Sequence, residues 1–157
     1  MLPTLAEASF PRAARVLESD DFVRALKTRA QRGRYLWVYR RLVDFDDGQT
    51  PSTQSAPAAR PQLGLMIGKR NAKTSVLRNA VKRRIREQFR LRQKALPTSQ
   101  YVVRLSLSIT TKDVAAVIAE WTATLDRYIA KSAAAAAAVV SVAAHSQLSR
   151  AAPSVTA

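Results

Sequence analysis

Not one cysteine occurs among the 157 residues of this chain, and histidine occurs once. The first absence excludes disulfides, thiolate metal sites and cysteine nucleophiles. The second leaves little for acid–base chemistry, because His145 sits in an alanine-rich stretch that is a poor scaffold for preorganised catalysis. No apolar run reaches the ~18 residues that a membrane span requires. The opening MLPTLAEASFPR lacks the basic-then-apolar pattern of a secretion signal. A cytoplasmic protein without membrane contact is expected. Acids are scarce too: 11 Asp and Glu face 26 Lys and Arg, for a formal net charge of +15. Such an excess points to a polyanionic partner.

The length suits one compact domain with a tail. Two stretches stand apart from the periodic segments. DFDDGQTPSTQSAPAARP (44–61) is rich in Pro, Ser, Thr and Gln, has no apolar periodicity, and reads as a flexible loop. The alanines of residues 132–157 favour helix, yet little large apolar surface is available to dock it. That segment reads as a disordered tail whose first residues can continue the helix before it. The expected organisation is a domain over 1–131 and a tail over 132–157.

Between these stretches the pattern alternates between helix and strand. SDDFVRALKTRA (19–30) reads as a helix with Ser19 at its N-cap, Asp20 and Asp21 in the first turn, and Phe22 and Leu26 on one face. YLWVYRRLV (35–43) reads as a strand with Tyr35, Trp37 and Tyr39 on one face and Leu36 and Val38 on the other. QLGLMIG (62–68) is a second strand, with Leu63, Leu65 and Ile67 facing one way. SVLRNAVKRRIREQFRLRQKAL (75–96) is a helix stopped by Pro97. YVVRLSLSI (101–109) is a further strand. The last helix covers 110–131, with Thr110 and Asp113 near its start as a capping box and Val114, Val117, Trp121, Leu125 and Tyr128 as its buried stripe. The order αββαβα, with room for another short strand, gives an α+β layer fold.

The charge is concentrated. From Lys69 to Lys94 eleven basic residues face one acid, Glu87, so this segment carries ten of the fifteen net charges. On the helix, Leu77, Val81, Ile85 and Phe89 recur every four residues and form the stripe that packs on the sheet. Asn79, Lys82, Arg83, Arg86 and Arg90 share an adjoining face, while Arg84 and Arg92 fall outside it as ordinary solvated charge. A charge run is usually just the wet side of a helix. This one has a single sign, without the Glu–Lys pairing of an ordinary exposed helix. It also begins near the helix N-terminus, where positive charge opposes the macrodipole at a cost of ~0.3–1 kcal/mol per residue. Bound phosphate relieves both problems. Nucleic acid is the expected partner.

A nuclease centre within the chain is the competing idea. Asp44, Asp46 and Asp47 have the chemistry to hold Mg2+, but their Pro/Ser/Thr-rich setting reads as solvated loop acids. Asp20 and Asp21 are explained as first-turn helix acids. No general acid–base pair, nucleophile or metal cluster emerges, so no catalytic residue, metal ligand or protein-bound cofactor is assigned. Any catalysis belongs to a partner.

At these residues the sequence resembles a known family. LGLMIGKRNAKTSVLRNAVKRRIREQFR (63–90) resembles the signature of the bacterial ribonuclease P protein component. In that signature a Gly-Leu strand leads through a basic pair into a helix reading R-N-R-x-K-R-x-x-R-E. Lys69 and Arg70 match the pair, and Arg78, Asn79, Lys82, Arg83, Arg86 and Glu87 match the helix. FPRAARVLESDDFVRAL (10–26) is similar to the family's start, and the resemblance covers roughly residues 10 to 130. It implies an α+β fold like the second domain of ribosomal protein S5, in the order αβββαβα, with a left-handed β-α-β crossover. That hand runs against the general rule.

The resemblance also implies a function: a protein subunit that assists a catalytic RNA in removing the 5′ leader of precursor transfer RNA. The Mg2+ of the holoenzyme is then held mainly by RNA, and no protein partner is implied. The catalytic RNA falls to Lys69, Arg70, Arg78, Asn79, Lys82, Arg83, Arg86 and Arg90. A cleft between the first helix and the sheet holds the single-stranded leader, with Phe22 and Tyr39 on its aromatic positions and Trp37 on the same face as Tyr39. Aromatic stacking holds a single strand with little regard to sequence. Aromatics on a strand face also serve as core, and for Tyr35 and Trp37 both uses stay open. Two departures from the pattern stand out: Ala80 replaces the second arginine of R-N-R, and Leu26 stands where many members have phenylalanine. A ribosomal or other structural RNA-binding protein is the alternative reading. A helix-turn-helix DNA binder would need a second helix just before the basic one, where LGLMIG reads as a strand.

Overall fold

The computed structural model describes residues 10–42 and 60–148. Most of the expected loop at 44–61 and the end of the expected tail, 149–157, lie outside the described residues, as do Asp44, Asp46 and Asp47. The elements run as a short 3-10 turn (Arg12–Ala14), α1 (Ser19–Leu26), β1 (Ala30–Arg32), β2 (Leu36–Leu42), β3 (Gln62–Met66), α2 (Ser75–Arg92), β4 (Ser99–Leu105), a second 3-10 turn (Thr111–Asp113) and α3 (Val114–Leu148). This is the αβββαβα order. The four strands form one mixed sheet in the order β1-β2-β4-β3, with β2 antiparallel to β4 and β3 parallel to it.

β4 occupies the middle because it can be buried on both sides. Tyr101, Val103 and Leu105 face a large core shared with α2 and α3, while Val102 on the opposite face meets α1. The four-residue stripe of α2, Leu77, Val81, Ile85 and Phe89, is wholly buried in that core. So is the expected stripe of α3, from Val114 to Tyr128. Because β3 and β4 are parallel neighbours, α2 is the crossover between them. The expected alternation holds along β3 and the residue after it, with Leu63 and Ile67 buried against the helices and Leu65 packed beside them.

Local chemistry sets the helix ends. Thr74 caps α2 by accepting the Leu77 amide at 3.2 Å, and the Thr110–Asp113 capping box is fully formed. Ser19, expected as a cap, is the first residue of α1 instead, and the cap position falls on Glu18 without a side-chain bond.

Several boundaries differ from expectation. The first helix stops at Leu26 rather than residue 30, where Thr28 turns back onto Ala25. The residues beyond it become β1, because Ala30 and Arg32 pair with Tyr39 and Trp37. The hairpin between them is latched from a distance: Glu120 of α3 accepts hydrogen bonds from the amides of Tyr35 and Leu36. Tyr35 therefore lies before the strand and packs toward the large core, away from Trp37 and Tyr39. β4 starts two residues early and ends at Leu105, where Ser106 bonds back to Tyr35. α2 ends at Arg92, four residues before expectation.

The alanine-rich segment does not become disordered at residue 132. It continues α3 as helix to Leu148, because alanine has the highest helix propensity and no Gly or Pro interrupts the run before Pro153. No helix among the described residues is long and apolar enough to cross a membrane.

Candidate RNA interface

The basic residues of α2 stand on the side of the molecule away from α1. The turn that leads into the helix is pinned before the helix begins. Asn71 donates its side-chain amide to the Leu105 carbonyl, and the Ile109 amide donates to the Asn71 carbonyl at 2.7 Å. Arg78 reaches back from the first turn of α2 to the carbonyls of Ala72 and Lys73, at 2.9 and 3.0 Å. Its guanidinium thereby fixes the turn that presents the exposed Lys69 and Arg70.

Along the helix, Asn79 and Arg83 are exposed, and Lys82, Arg86 and Arg90 are half-buried. The expected face is thus a continuous surface, though its members are not equivalent. Arg90 holds Glu87 through two bonds of 2.7 and 3.1 Å. That hydrogen bonding pushes the Glu87 carboxyl below its ordinary pKa and the Arg90 guanidinium above its own. Arg92, outside the face, is taken up by Asp126 of α3 and by Gln88.

Arg86 has no acid partner among the described residues. Its pKa is drawn down, first by burial and then by the charge of Arg15. Arg15 was missed in the sequence. It reaches α2 because the N-terminal segment runs beside β3: Arg15 bridges to Leu63, and the Val16 amide donates to the Leu63 carbonyl. Phe10 meets Phe89 edge-on at 6.0 Å, and Arg15 stacks over Phe10 at 5.5 Å. The only signal available was the basic character of the segment 10–16. Two like charges held together with no acid between them favour an anion at that place.

The opposite face of the sheet carries the aromatic residues. Beneath α1, Phe22, Ala25, Leu26, Ala30, Trp37, Tyr39, Met66 and Val102 form a second, smaller apolar cluster. Phe22 lies flat enough on β3 that a Cβ on Gly64 would come within 2.7 Å of its ring. Gly64 is therefore what lets the ring settle onto the sheet. Tyr39 is 7 % exposed and forms the floor, whereas Phe22 and Trp37 are half-buried and keep open ring surface. At one end of this face Asp21, Arg41, Gln100 and Gln62 interlock by hydrogen bonds of 3.1–3.3 Å. At the other end Trp37 is flanked by Arg32 and Arg104, at 4.8 and 5.8 Å from its ring centre. Neither arginine was singled out from the sequence, because cross-strand register decides what adjoins Trp37.

Among the described residues no group of three or more His, Cys, Asp or Glu is placed to hold a metal ion. The site is cationic and aromatic. Its cationic groups have the chemistry to hold anions and its rings offer stacking surface.

Comparison with known proteins accords with this geometry. A family profile described as Ribonuclease P matches residues 10–129. The ribonuclease P protein component of Bordetella parapertussis is 38% identical over 118 residues, covering 72% of this chain and 86% of that protein. That of Ralstonia pickettii is 35% identical over 112 residues, covering 71% of each. Among solved structures, a Staphylococcus aureus RNase P protein, a mutant with defective mRNA degradation activity, superposes with a TM-score of 0.54 at 21% identity. It covers 76% of this chain and 88% of that one. This last likeness is one of fold. With the family profile spanning most of its length, the chain belongs to the ribonuclease P protein family, the protein subunits of a ribonucleoprotein endoribonuclease that works with an RNA subunit.

Proposed function

We propose that the two faces of the sheet divide the work of this subunit between two RNAs. The α2 face, with Lys69, Arg70, Arg78, Asn79, Lys82, Arg83, Arg86 and Arg90, holds the catalytic RNA, and Arg15 joins it beside Arg86. The α1 face, with Phe22 and Trp37 above a floor of Tyr39, holds the single-stranded 5′ leader of precursor transfer RNA. The observation that carries the reading is this separation: concentrated basic charge on one side of β4, half-open aromatic rings on the other.

Chemically the chain binds and orients. Guanidinium and ammonium groups neutralise phosphates and release counterions, while ring faces hold unpaired bases. We assign the Mg2+ of the holoenzyme mainly to its RNA. Binding both RNAs at once raises the effective concentration of precursor at the catalytic RNA.

The test is reconstitution. Purified chain added to transcribed ribonuclease P RNA at low Mg2+ should restore site-specific removal of the leader, and chain alone should cleave nothing. A chain that binds the RNA tightly without restoring cleavage is a structural RNA-binding protein, and the proposal fails.

A further inference from the structure

Four residues stand side by side across the α1 face: Arg32 on β1, Trp37 on β2, Arg104 on β4 and Met66 on β3. Strand pairing sets them in line, Arg32 opposite Trp37, Trp37 opposite Arg104, and Arg104 opposite Met66. The row lies two residues along the strands from the row of Ala30, Tyr39, Val102 and Gly64, which floors the aromatic cluster. It is continuous with that cluster and stands at its open end. Both arginines are exposed, and neither has an acid partner among the described residues. The contrast with the other end of the same face is informative. There Arg41 is tied to Asp21 and Gln100, and its charge is spent within the fold.

We propose that Arg32 and Arg104 form a clamp for the phosphate backbone of the single-stranded leader, with Trp37 as the positioning residue between them. This rests on the assignment of the leader to the α1 face. The two arginines sit two strand spacings apart, roughly 10 Å, so they meet different phosphates of one strand. Each guanidinium stacks on the indole, which limits its rotamers and leaves its outward donors free for anions. Trp37 therefore acts chiefly through the arginines, and base stacking falls to Phe22. Phosphate is the fitting ligand because the row carries two cations held against one ring and no acid. The clamp grips any leader sequence.

The test uses holoenzyme reconstituted from the full chain and the catalytic RNA, with affinity measured for precursor bearing a long leader and for leaderless transfer RNA. Arg32→Ala and Arg104→Ala should each weaken long-leader binding roughly tenfold, the weight of one charge-assisted hydrogen bond. Leaderless binding and affinity for the catalytic RNA should not change. Trp37→Ala removes no charge, yet it should flatten the salt dependence of leader binding by about 0.7 in log–log slope for each phosphate no longer neutralised. Trp37→Phe should restore most of that slope. If both arginine variants bind the long leader as wild type does while Phe22→Ala weakens it, the leader reading stands and the clamp is wrong. If all three variants bind as wild type does, both fail together. A loss that is equal for leaderless transfer RNA, or that appears in affinity for the catalytic RNA, places the arginines elsewhere and also overturns the clamp.

Discussion

Trp121 donates its indole N–H to the backbone carbonyl of Ile85 across 3.1 Å, in the buried seam between α2 and α3. Both side chains are completely buried. The bond adds to the buried stripe of Leu77, Val81, Ile85 and Phe89: with Ile85 turned inward, Arg83 and Arg86 are turned to solvent or its margin. The outer charge pattern of the helix is thus set by its interior packing.

Ile85→Ala should therefore be a stability mutation. Its cost should be about 2–5 kcal/mol, from forfeited transfer energy and the cavity left behind. Chemical denaturation reads it directly. RNA affinity, corrected for the unfolded fraction, should match wild type.

Arg83→Ala and Arg86→Ala should do the reverse. Neither residue has an acid partner in the described structure, so thermal stability should hold, and for Arg86 it should rise slightly as repulsion from Arg15 ends. Affinity for the catalytic RNA should fall by roughly 1.5–3 kcal/mol per charged hydrogen bond removed. Its log–log salt slope should become shallower by about 0.7–0.9 per phosphate that is no longer neutralised. Arg15→Ala should weaken the same RNA, with a coupling to Arg86→Ala in a double-mutant cycle. A destabilised fold with unchanged RNA affinity and salt slope would make the cluster structural.

Gly64→Ala tests the other face. The new methyl collides with the Phe22 ring, so the ring must lift and the cost should be about 1–3 kcal/mol. Binding of leader-bearing precursor should weaken, while affinity for the catalytic RNA stays put. Wild-type leader binding in a variant of proven fold would show that the seating of Phe22 does not matter.

Tyr101 gives a prediction in pH. Burial raises its pKa from 10.0 to about 12, and Tyr128 is shifted upward for the same reason. The folded state thus disfavours the phenolate. The stability this contributes is complete below pH 10 and is lost as pH rises through about 12. Denaturation midpoints should fall across that window. Tyr101→Phe should start lower by about 1 kcal/mol for the missing bond to Pro97, and its fall should be shallower. Equal slopes would show that Tyr101 is not the titrating group.

The helices were legible because their apolar stripes repeat locally. Leu77 to Phe89 and Val114 to Tyr128 are buried as their spacing predicted. β1 was not legible. Its three residues have no pattern of their own and become a strand only by pairing with β2. After Lys131 the helical extension that the alanines allow runs on to Leu148, further than the scarcity of docking surface suggests, because alanine's intrinsic preference sustains it. At the candidate site, the run along α2 could be read from one segment. Arg15 beside Arg86, and Arg32 and Arg104 beside Trp37, depend on register between distant segments, which local pattern does not encode.

β4 has side chains in both apolar clusters, one on each side of the sheet. Tyr101, Val103 and Leu105 support α2, while Gln100, Val102 and Arg104 look toward α1. Because side chains alternate with a period of two, deleting or inserting one residue within it turns the strand inside out from that point. Arg104 would then enter the core beneath the helices and Val103 would surface among the cations. Such a frame error cannot damage one face of the sheet and spare the other.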